Sequence, residues 1–281
     1  MLEAMHTWQT TRFAIDLSCP RVMGIVNVTP DSFSDGGRHA DTTAALQHAQ
    51  RLVDEGAHIL DIGGESTRPG APTVPADEEW ARIEGVLRGA MGWGVPLSVD
   101  TCKPEVMQRA LDLGADIIND VQALGAPGAL DVVAGHPSCG VCVMHMKGSP
   151  ATMQDAPAYD DVLDEVRHFL QARLQALAEA GIGPERITLD PGIGFGKAPA
   201  HNLALLRRQK ELLALGRPLL LGWSRKSTLG EVTGRPVDQR LAASLAAALA
   251  AVQQGAAIVR VHDVAQTVDA LRVWEAAGLL D

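Results

Sequence analysis

Eight short apolar runs alternate with longer segments of helical spacing, and this alternation restricts the fold of the chain more than any other feature. The runs are apolar almost throughout, which is typical of parallel strands that are covered on both faces. Several intervening segments end at a glycine just before the next run, as Gly56, Gly114 and Gly255 do. The repeating unit is therefore a strand followed by a helix. The predicted strands are residues 22–28, 58–62, 96–99, 116–119, 140–145, 186–189, 218–222 and 257–261.

Eight strand–helix units in roughly 250 residues predict an α/β fold of the (β/α)8 or TIM barrel type. A doubly wound open sheet is the alternative, but no glycine-rich dinucleotide turn follows the first run. No linker rich in proline, serine or charge divides the chain, so we expect one domain over residues 21–281. Residues 1–20 do not fit the repeat, and we expect them to form a short N-terminal extension that closes the bottom of the barrel.

Composition and charge narrow the class of protein. The 281-residue chain has 34 acidic against 24 basic residues and a formal net charge of −10, which gives it no general attraction for nucleic acid. Its most apolar stretch, residues 241–252, is shorter than the roughly 20 residues of a membrane-spanning helix. The first residues lack the pattern of a secretory signal, and 4 cysteines are too few for a disulfide framework. We therefore expect a cytoplasmic protein without nucleic-acid or membrane partners.

Polar residues lie at the carboxyl end of every predicted strand. In a (β/α)8 barrel these ends form one rim, where the loops converge and ligands bind. The residues are Asn27, Asp61, Asp100, Asn119, His145, Asp190, Ser224 and Arg260. Taken singly, an Asp or Asn after a strand is as well explained as the cap of the next helix. Capping does not explain Lys226, Arg260 and His262, because a cation opposes the positive N-terminus of a helix. A bound anion explains them better.

Two further patterns are weak signals. Gly192, Gly194 and Gly196 alternate before Lys197, but their spacing matches neither a phosphate loop nor a dinucleotide fingerprint. Cys139 and Cys142 form a CxxC pair within an apolar strand, and no second pair accompanies them. We interpret them as buried thiols rather than as a zinc site.

Eight segments that span nearly the whole chain resemble the motifs of the dihydropteroate synthases, a family of pterin-binding enzymes. The first, second and seventh are the most specific. The segments are MGIVNVTPDSFSDGG from Met23, DIGGESTRPG from Asp61, SVDT from Ser98, INDV from Ile118, VMHMKGSPATMQ from Val143, DPGIGFGK from Asp190, GWSRKSTLG from Gly222 and VRVHDV from Val259.

The resemblance implies a (β/α)8 barrel, usually a homodimer, that acts as a transferase in folate synthesis. Its small-molecule substrates would be 6-hydroxymethyl-7,8-dihydropterin diphosphate and 4-aminobenzoate, its products 7,8-dihydropteroate and diphosphate, and its cofactor Mg²⁺. Sulfonamides mimic 4-aminobenzoate in this family. Ile193 stands where many members have an aromatic residue, and Trp223 where smaller residues are frequent, so sulfonamide affinity is left open.

The resemblance also implies roles for residues at matching motif positions. The pterin would be held by Asp100, Asn119 and Asp190, with Lys226 beside it. The diphosphate and its Mg²⁺ would be held by Asn27, as the metal ligand, with Arg260 and His262. Thr67 and Arg68 lie on the second motif and Met144 on the fifth, all three as substrate-binding residues. Ser227 would meet the carboxylate of 4-aminobenzoate, and Phe195 would line the arylamine pocket. The expected catalytic residues are Asp31, Arg68, Asp100, Asp190 and Lys226.

These roles predict a dissociative reaction. The methylene left by the departing diphosphate is conjugated with an electron-rich ring, and anionic Asp100 and Asp190 would stabilise the resulting cation. An arylamine is largely unprotonated near neutral pH, so no general base is required. The glycine- and proline-rich first and second motifs are expected to close as loops that exclude water. Asp31 and Phe33 would then make contacts only in the closed form.

Two other functions remain open. A pterin-binding methyltransferase that serves a corrinoid protein would share the barrel and the pterin acids but needs no diphosphate site. A non-catalytic pterin-binding barrel would have degraded loops, whereas the TPDSFSDGG loop and the cluster of Arg260 and His262 are intact here.

Overall fold

A closed barrel of eight parallel strands forms the centre of the structure, which confirms the predicted (β/α)8 fold. The structure is a computed structural model and describes residues 6–29, 37–67, 70–148, 153 and 157–280, without the side chains of residues 37–41. Each barrel strand begins and ends within about one residue of the apolar run that predicts it. Over the described ranges, no helix has the length and apolarity that crossing a membrane requires.

The strands follow one another around the barrel in chain order, and the last pairs with the first. A two-stranded antiparallel hairpin, β1 and β2, precedes the barrel. The strands are β1 Thr7–Gln9, β2 Ala14–Asp16, β3 Arg21–Asn27, β4 Ile59–Gly63, β5 Leu97–Asp100, β6 Ile117–Asp120, β7 Gly140–Met144, β8 Ile187–Asp190, β9 Leu219–Leu221 and β10 Ala256–Val261.

Helices surround the barrel and bury their apolar faces against the outward-facing strand residues. The chain from β9 to β10 contains a short helix, α7, before the longer α8, so this unit departs from the simple repeat. The helices are α1 Gly37–Asp54, α2 Ala76–Ala90, α3 Pro104–Leu113, α4 Ala129–Gly135, α5 Val162–Glu179, α6 Pro199–Arg208, α7 Ser227–Thr233, α8 Leu241–Gln253 and α9 Val264–Ala276.

The bottom of the barrel is filled by apolar side chains and covered by the N-terminal hairpin. Fully buried Trp8 belongs to the same cluster as residues from six barrel strands, and its indole N–H donates to the Arg186 carbonyl at 2.8 Å. Arg12 pairs with buried Asp116 at 2.5 Å and so ties the hairpin to the start of β6. The strand residues of this cluster are Met23, Ile59, Ile117, Cys142, Leu220 and Ile258. With the bottom filled, polar groups inside the barrel lie toward the opposite rim. That residue 20 is a domain boundary stays a prediction.

The CxxC pair contributes to packing. Cys139 and Cys142 are both free and buried, and Cys142 lies in the apolar cluster inside the barrel. Burial raises the pKa of both thiols, which favours the uncharged form of each.

Candidate active site

Several predicted site residues are register partners at the carboxyl ends of adjacent strands, so they lie in one layer across the barrel. The barrel register pairs Asn27 with Gly63, Gly63 with Asp100, and Asp100 with Asn119. Side chains alternate between the two faces of a strand. Gly63, between Asn27 and Asp100 in this row, carries no side chain, and a Cβ there would lie 3.4 Å from Asp100 Cβ.

Asp61 lies inside the barrel, directly below this rim, and has no exposed surface. Its carboxylate accepts hydrogen bonds from Ser98 Oγ at 2.6 Å, Asn119 Nδ2 at 3.1 Å and Arg260 Nε at 2.6 Å. A buried carboxylate requires such compensation, because desolvation of an unpaired charge costs several kcal/mol. Asp61 therefore anchors two predicted ligand-binding side chains, Asn119 and Arg260.

Arg260 connects Asp61 with the rim carboxylate Asp100, to which its Nη2 donates at 2.7 Å. Burial raises the pKa of Asp100 to about 7, although the nearby Arg260 acts in the opposite direction. Asp100 Oδ1 is buried and has no hydrogen-bond partner among the described residues. A buried acceptor without a partner is costly unless a ligand supplies a donor. Asp100 is thus suited to accept from an N–H group of a bound molecule.

Asp190 ends β8 and is 7% exposed. Its Oδ1 accepts from the backbone N–H of Gly192 at 2.6 Å, which fixes the carboxylate to the turn that follows. Burial raises the pKa of Asp190, while this hydrogen bond and Lys226 act to lower it. Met144, which is buried at the end of β7, pairs in register with Asp190.

Lys226 lies against Phe195, with its Nζ 4.2 Å from the centre of the phenyl ring. Gly194 admits this approach: it has a φ of +82°, and a Cβ there would lie 3.1 Å from Lys226 Cδ. The Gly194 N–H donates to Asn202 Oδ1 at 2.9 Å, which holds the turn against α6. The phenyl ring of the turn after β8 and the ammonium group of the segment after β9 are thus held face to face.

His262 follows β10 and pairs with Ser224, which follows β9. Its Nδ1 is 3.0 Å from Ser224 Oγ, and its backbone N–H donates to the same oxygen at 3.2 Å. Burial lowers the pKa of His262 to about 3, and Arg260 and Arg225 act in the same direction. The ring is therefore neutral near pH 7 and would meet an anion as a hydrogen-bonding group rather than as a cation.

The other predicted residues are less enclosed. Thr67 is half-buried on the loop after β4, and Ser227 is exposed at the start of α7. Asp31, Phe33 and Arg68 lie outside the described residues.

An ion cluster anchors the loop that carries Thr67. Lys103 Nζ lies 2.5 Å from carboxylate oxygens of both Glu65 and Glu79, and Glu79 is fully buried. The other Glu65 oxygen accepts from the Val74 N–H at 2.7 Å, so the start of the loop is tied to its end. Neither this cluster nor the role of Asp61 was part of the sequence prediction. A charged residue inside the apolar strand Ile59–Gly63 was the available signal for Asp61.

The side-chain oxygens at the rim are compatible with a Mg²⁺ site that is shared with the phosphates of a substrate. Across the described ranges, no three His, Cys, Asp or Glu side chains are grouped as a resident metal site would require. Mg²⁺ is commonly held by one or two protein oxygens together with substrate phosphates. The half-buried amide of Asn27 at the end of β3 fits such a shared site.

The chain is similar to known proteins in both sequence and fold. A model for pterin binding enzymes matches residues 23–262. The chain is 56% identical over 282 residues to a dihydropteroate synthase of Neisseria meningitidis serogroup B, covering 98% of this chain and 99% of that protein.

Two solved structures extend the comparison. Dihydropteroate synthase of Xanthomonas albilineans with 4-aminobenzoic acid is 55% identical, with a TM-score of 0.89 over 94% of this chain and 95% of that one. The Burkholderia cenocepacia enzyme complexed with 7,8-dihydropteroate is 50% identical, with a TM-score of 0.88 over 98% and 97% of the two chains.

Proposed function

This chain belongs to the dihydropteroate synthases, transferases of the pterin-binding family, and on that premise we propose the reaction that it catalyses. The substrates are 6-hydroxymethyl-7,8-dihydropterin diphosphate and 4-aminobenzoate, and the products are 7,8-dihydropteroate and diphosphate. The observation that carries this proposal is the buried acceptor Asp100 Oδ1, which lies beside the cationic Arg260 at one end of the barrel. The Asp100 oxygen can accept from a heterocycle rich in N–H donors, and the Arg260 guanidinium can bind the diphosphate attached to that heterocycle.

The pterin lies among Asp100, Asn119 and Asp190. The edge of a pterin presents several N–H donors together with acceptors, so carboxylates and an amide match it. Asn119 already donates to Asp61, which leaves its carbonyl oxygen for the ligand. N–H donors favour the ionised form of a carboxylate, so pterin binding lowers the raised pKa values of Asp100 and Asp190.

The diphosphate lies beside Arg260 and His262. Arg260 uses Nε to pair with Asp61 and Nη2 to pair with Asp100. The two carboxylates therefore fix the orientation of the guanidinium, while Nη1 donates to neither of them. Asn27 would hold Mg²⁺ together with diphosphate oxygens, and the ion, when bound, would stabilise the negative charge that grows there. Arg68 is proposed to contact the same group.

The carbon–oxygen bond breaks before the new carbon–nitrogen bond forms. The anionic forms of Asp100 and Asp190 stabilise the positive charge that spreads over the pterin and its methylene. Phe195 lines the arylamine pocket beside this carbon, and Ser227 lies toward the carboxylate of 4-aminobenzoate. Lys226, whose Nζ faces the Phe195 ring, lies beside the pterin. The amine reaches the carbon as the neutral nucleophile, so the chain need not supply a general base.

We also propose that the protein is a cytoplasmic homodimer. Val232, Val237 and Val273 are 61%, 54% and 67% exposed, on or next to helices α7 and α9. Helices α7 and α9 both contact α8. Exposed apolar side chains grouped on one side of a protein are typical of surfaces that pair with another subunit.

Diphosphate release from the two substrates, measured with and without Mg²⁺, tests the proposal. We expect turnover only with both substrates present, stimulation by Mg²⁺, and a loss of at least about 100-fold in kcat/KM for Asp190→Asn. Asp112→Asn, at an exposed position on α3, is the matched control and should retain wild-type rates. A wild-type protein that binds pterin but releases no diphosphate would favour a non-catalytic barrel or the corrinoid-linked methyltransferase.

A further inference from the structure

Lys197 is 2% exposed, yet its ammonium group lies at the junction of two barrel strands. Nζ is 2.8 Å from His145 Nδ1, 2.9 Å from the Gly192 carbonyl and 3.0 Å from the Phe195 carbonyl. The His145 carbonyl lies 3.3 Å from the same Nζ, so the three N–H donors of an ammonium group are surrounded by four acceptors. Lys197 thus ties the residue after β7 to both ends of the turn after β8.

The turn from Gly192 to Gly196 has little freedom to move toward β7. Gly192 and Gly196 have φ values of +71° and +64°, and a Cβ on Gly192 would lie 1.8 Å from the His145 carbonyl oxygen. Tyr159 adds a second attachment, because its hydroxyl donates to the Gly196 carbonyl at 2.7 Å. The turn is therefore in direct backbone contact with the end of β7.

Both substrate pockets depend on this turn. The Gly192 N–H donates to Asp190 Oδ1 at 2.6 Å, and its carbonyl accepts from Lys197 at 2.9 Å. At the other end, the carbonyl held by Lys197 belongs to Phe195, whose ring faces Lys226. A displacement of this turn would move a pterin acceptor and an arylamine contact together.

The charges around Lys197 are consistent with this arrangement. Burial lowers the pKa of His145 to about 3, and Lys197 acts in the same direction, so the ring is neutral, and its Nδ1 accepts in the tautomer that carries the proton on Nε2. Burial also lowers the pKa of Lys197 to about 7, against the attraction of Asp190. Lys197 is almost fully buried and its Nζ is surrounded by the turn and His145, so it acts on the reaction by holding these groups rather than by touching a substrate.

We propose that Lys197 is a positioning residue that holds the Asp190–Phe195 turn against β7 and thereby sets the spacing between the pterin and arylamine pockets. This inference rests on the proposed function. The carbonyl groups of Gly192 and Phe195 would lose their N–H donor in Lys197→Met, which keeps an unbranched side chain that is only one atom shorter. The backbone would then relax away from His145 while the barrel itself stays closed.

Steady-state kinetics of Lys197→Met test the proposal, with exposed Lys210→Met as the control. We expect the KM for 4-aminobenzoate to rise about tenfold or more, with kcat at saturation within about threefold of wild type. A purely structural role would reduce the active fraction, and hence kcat, without changing KM. An unchanged KM overturns the proposal. Should Lys197→Met fail to unfold cooperatively, Lys197→Gln is assayed by the same criterion.

A double-mutant cycle of Lys197→Met and Phe195→Ala tests whether Lys197 affects the KM for 4-aminobenzoate through the position of Phe195. If Lys197 acts through the position of Phe195, its substitution should raise KM much less in the Phe195→Ala background, so the two effects are not additive. Equal factors in both backgrounds contradict the proposal. Inactive wild-type protein would refute the proposed function, whereas active wild type with an unaltered Lys197→Met variant would refute this inference alone.

Discussion

Arg260 Nε lies 2.6 Å from Oδ2 of Asp61, a fully buried carboxylate, although the two residues are 199 positions apart in the chain. They lie on β10 and β4, the two strands that flank β3. The guanidinium is therefore held in place by the barrel itself before any ligand binds.

Asp61→Asn should lower the free energy of unfolding by about 3 kcal/mol, because it leaves a buried cation with one of its two carboxylates. Urea denaturation measures this loss. The same variant should raise the KM for the pterin diphosphate, since Arg260 loses an orienting partner. Ser98→Ala removes one neutral donor to Asp61 and should cost only about 1 kcal/mol. Equal losses in the two variants would contradict the role assigned to the ion pair.

Lys103→Met should destabilise the protein by about 3 kcal/mol, because fully buried Glu79 would lose its only cationic partner among the described residues. The exposed pair of Arg88 and Glu84 provides the control, and Arg88→Met should change stability by less than about 1 kcal/mol. Chemical denaturation of both variants gives the comparison. A cost for Lys103→Met as small as the control would show that the cluster does not hold the loop.

The variants Gly194→Ala and Gly216→Ala distinguish the effect of backbone strain on stability from the effect of a new side chain on substrate binding. Both glycines have positive φ, +82° and +67°, so either substitution should cost about 1 kcal/mol of stability. A Cβ at Gly194 meets Lys226, whereas nothing lies within 4 Å of one at Gly216. Only Gly194→Ala should therefore displace Lys226 and raise the KM for the pterin diphosphate. Equal KM values in the two variants would remove Lys226 from the pterin site.

Asp100 should make the protein less stable as the pH rises. Its pKa is raised to about 7 in the folded state from 3.8, so the folded state retains a proton that the unfolded chain releases. Stability from this group is present below pH 4 and is lost by about pH 7. Asp190 and Asp120 contribute in the same direction, so the measurement is the difference between wild type and Asp100→Asn. Parallel stability curves for the two proteins would refute the assignment.

Val232→Glu should weaken the proposed homodimer, because it places a charge on an exposed apolar position of α7. Sedimentation of the variant should show monomers at concentrations where the wild type is dimeric. Gln108→Glu, which introduces the same charge on α3, should leave the assembly unchanged. A wild type that sediments as a monomer would refute the dimer itself.

The barrel could be predicted from local patterns because each strand is a short apolar run next to a helix, and the order of strands around the barrel is the order in the chain. The row of Asn27, Asp100 and Asn119 follows from the same repeat, since each residue is the last or the next-to-last residue of a strand. The contacts beneath the rim could not be predicted in this way. The pairing of Arg260 with Asp61 depends on barrel closure, and the enclosure of Lys197 depends on how two loops pack together.

Helix α7 shows another limit of local patterns. The segment that begins at Ser227 carries a motif with specific residues but too few apolar positions to predict a helix of its own. Its place at the rim is set by contacts with distant residues, such as the hydrogen bond from Asn202 to Thr228 at 2.9 Å.

Trp8 and the apolar cluster around it close the bottom of the barrel, so a ligand reaches the polar groups inside from the opposite rim. In the proposed reaction, both substrates therefore enter and both products leave on this side of the barrel. The N-terminal hairpin, at the end of the barrel away from the proposed site, thereby restricts substrate entry and product release to one side.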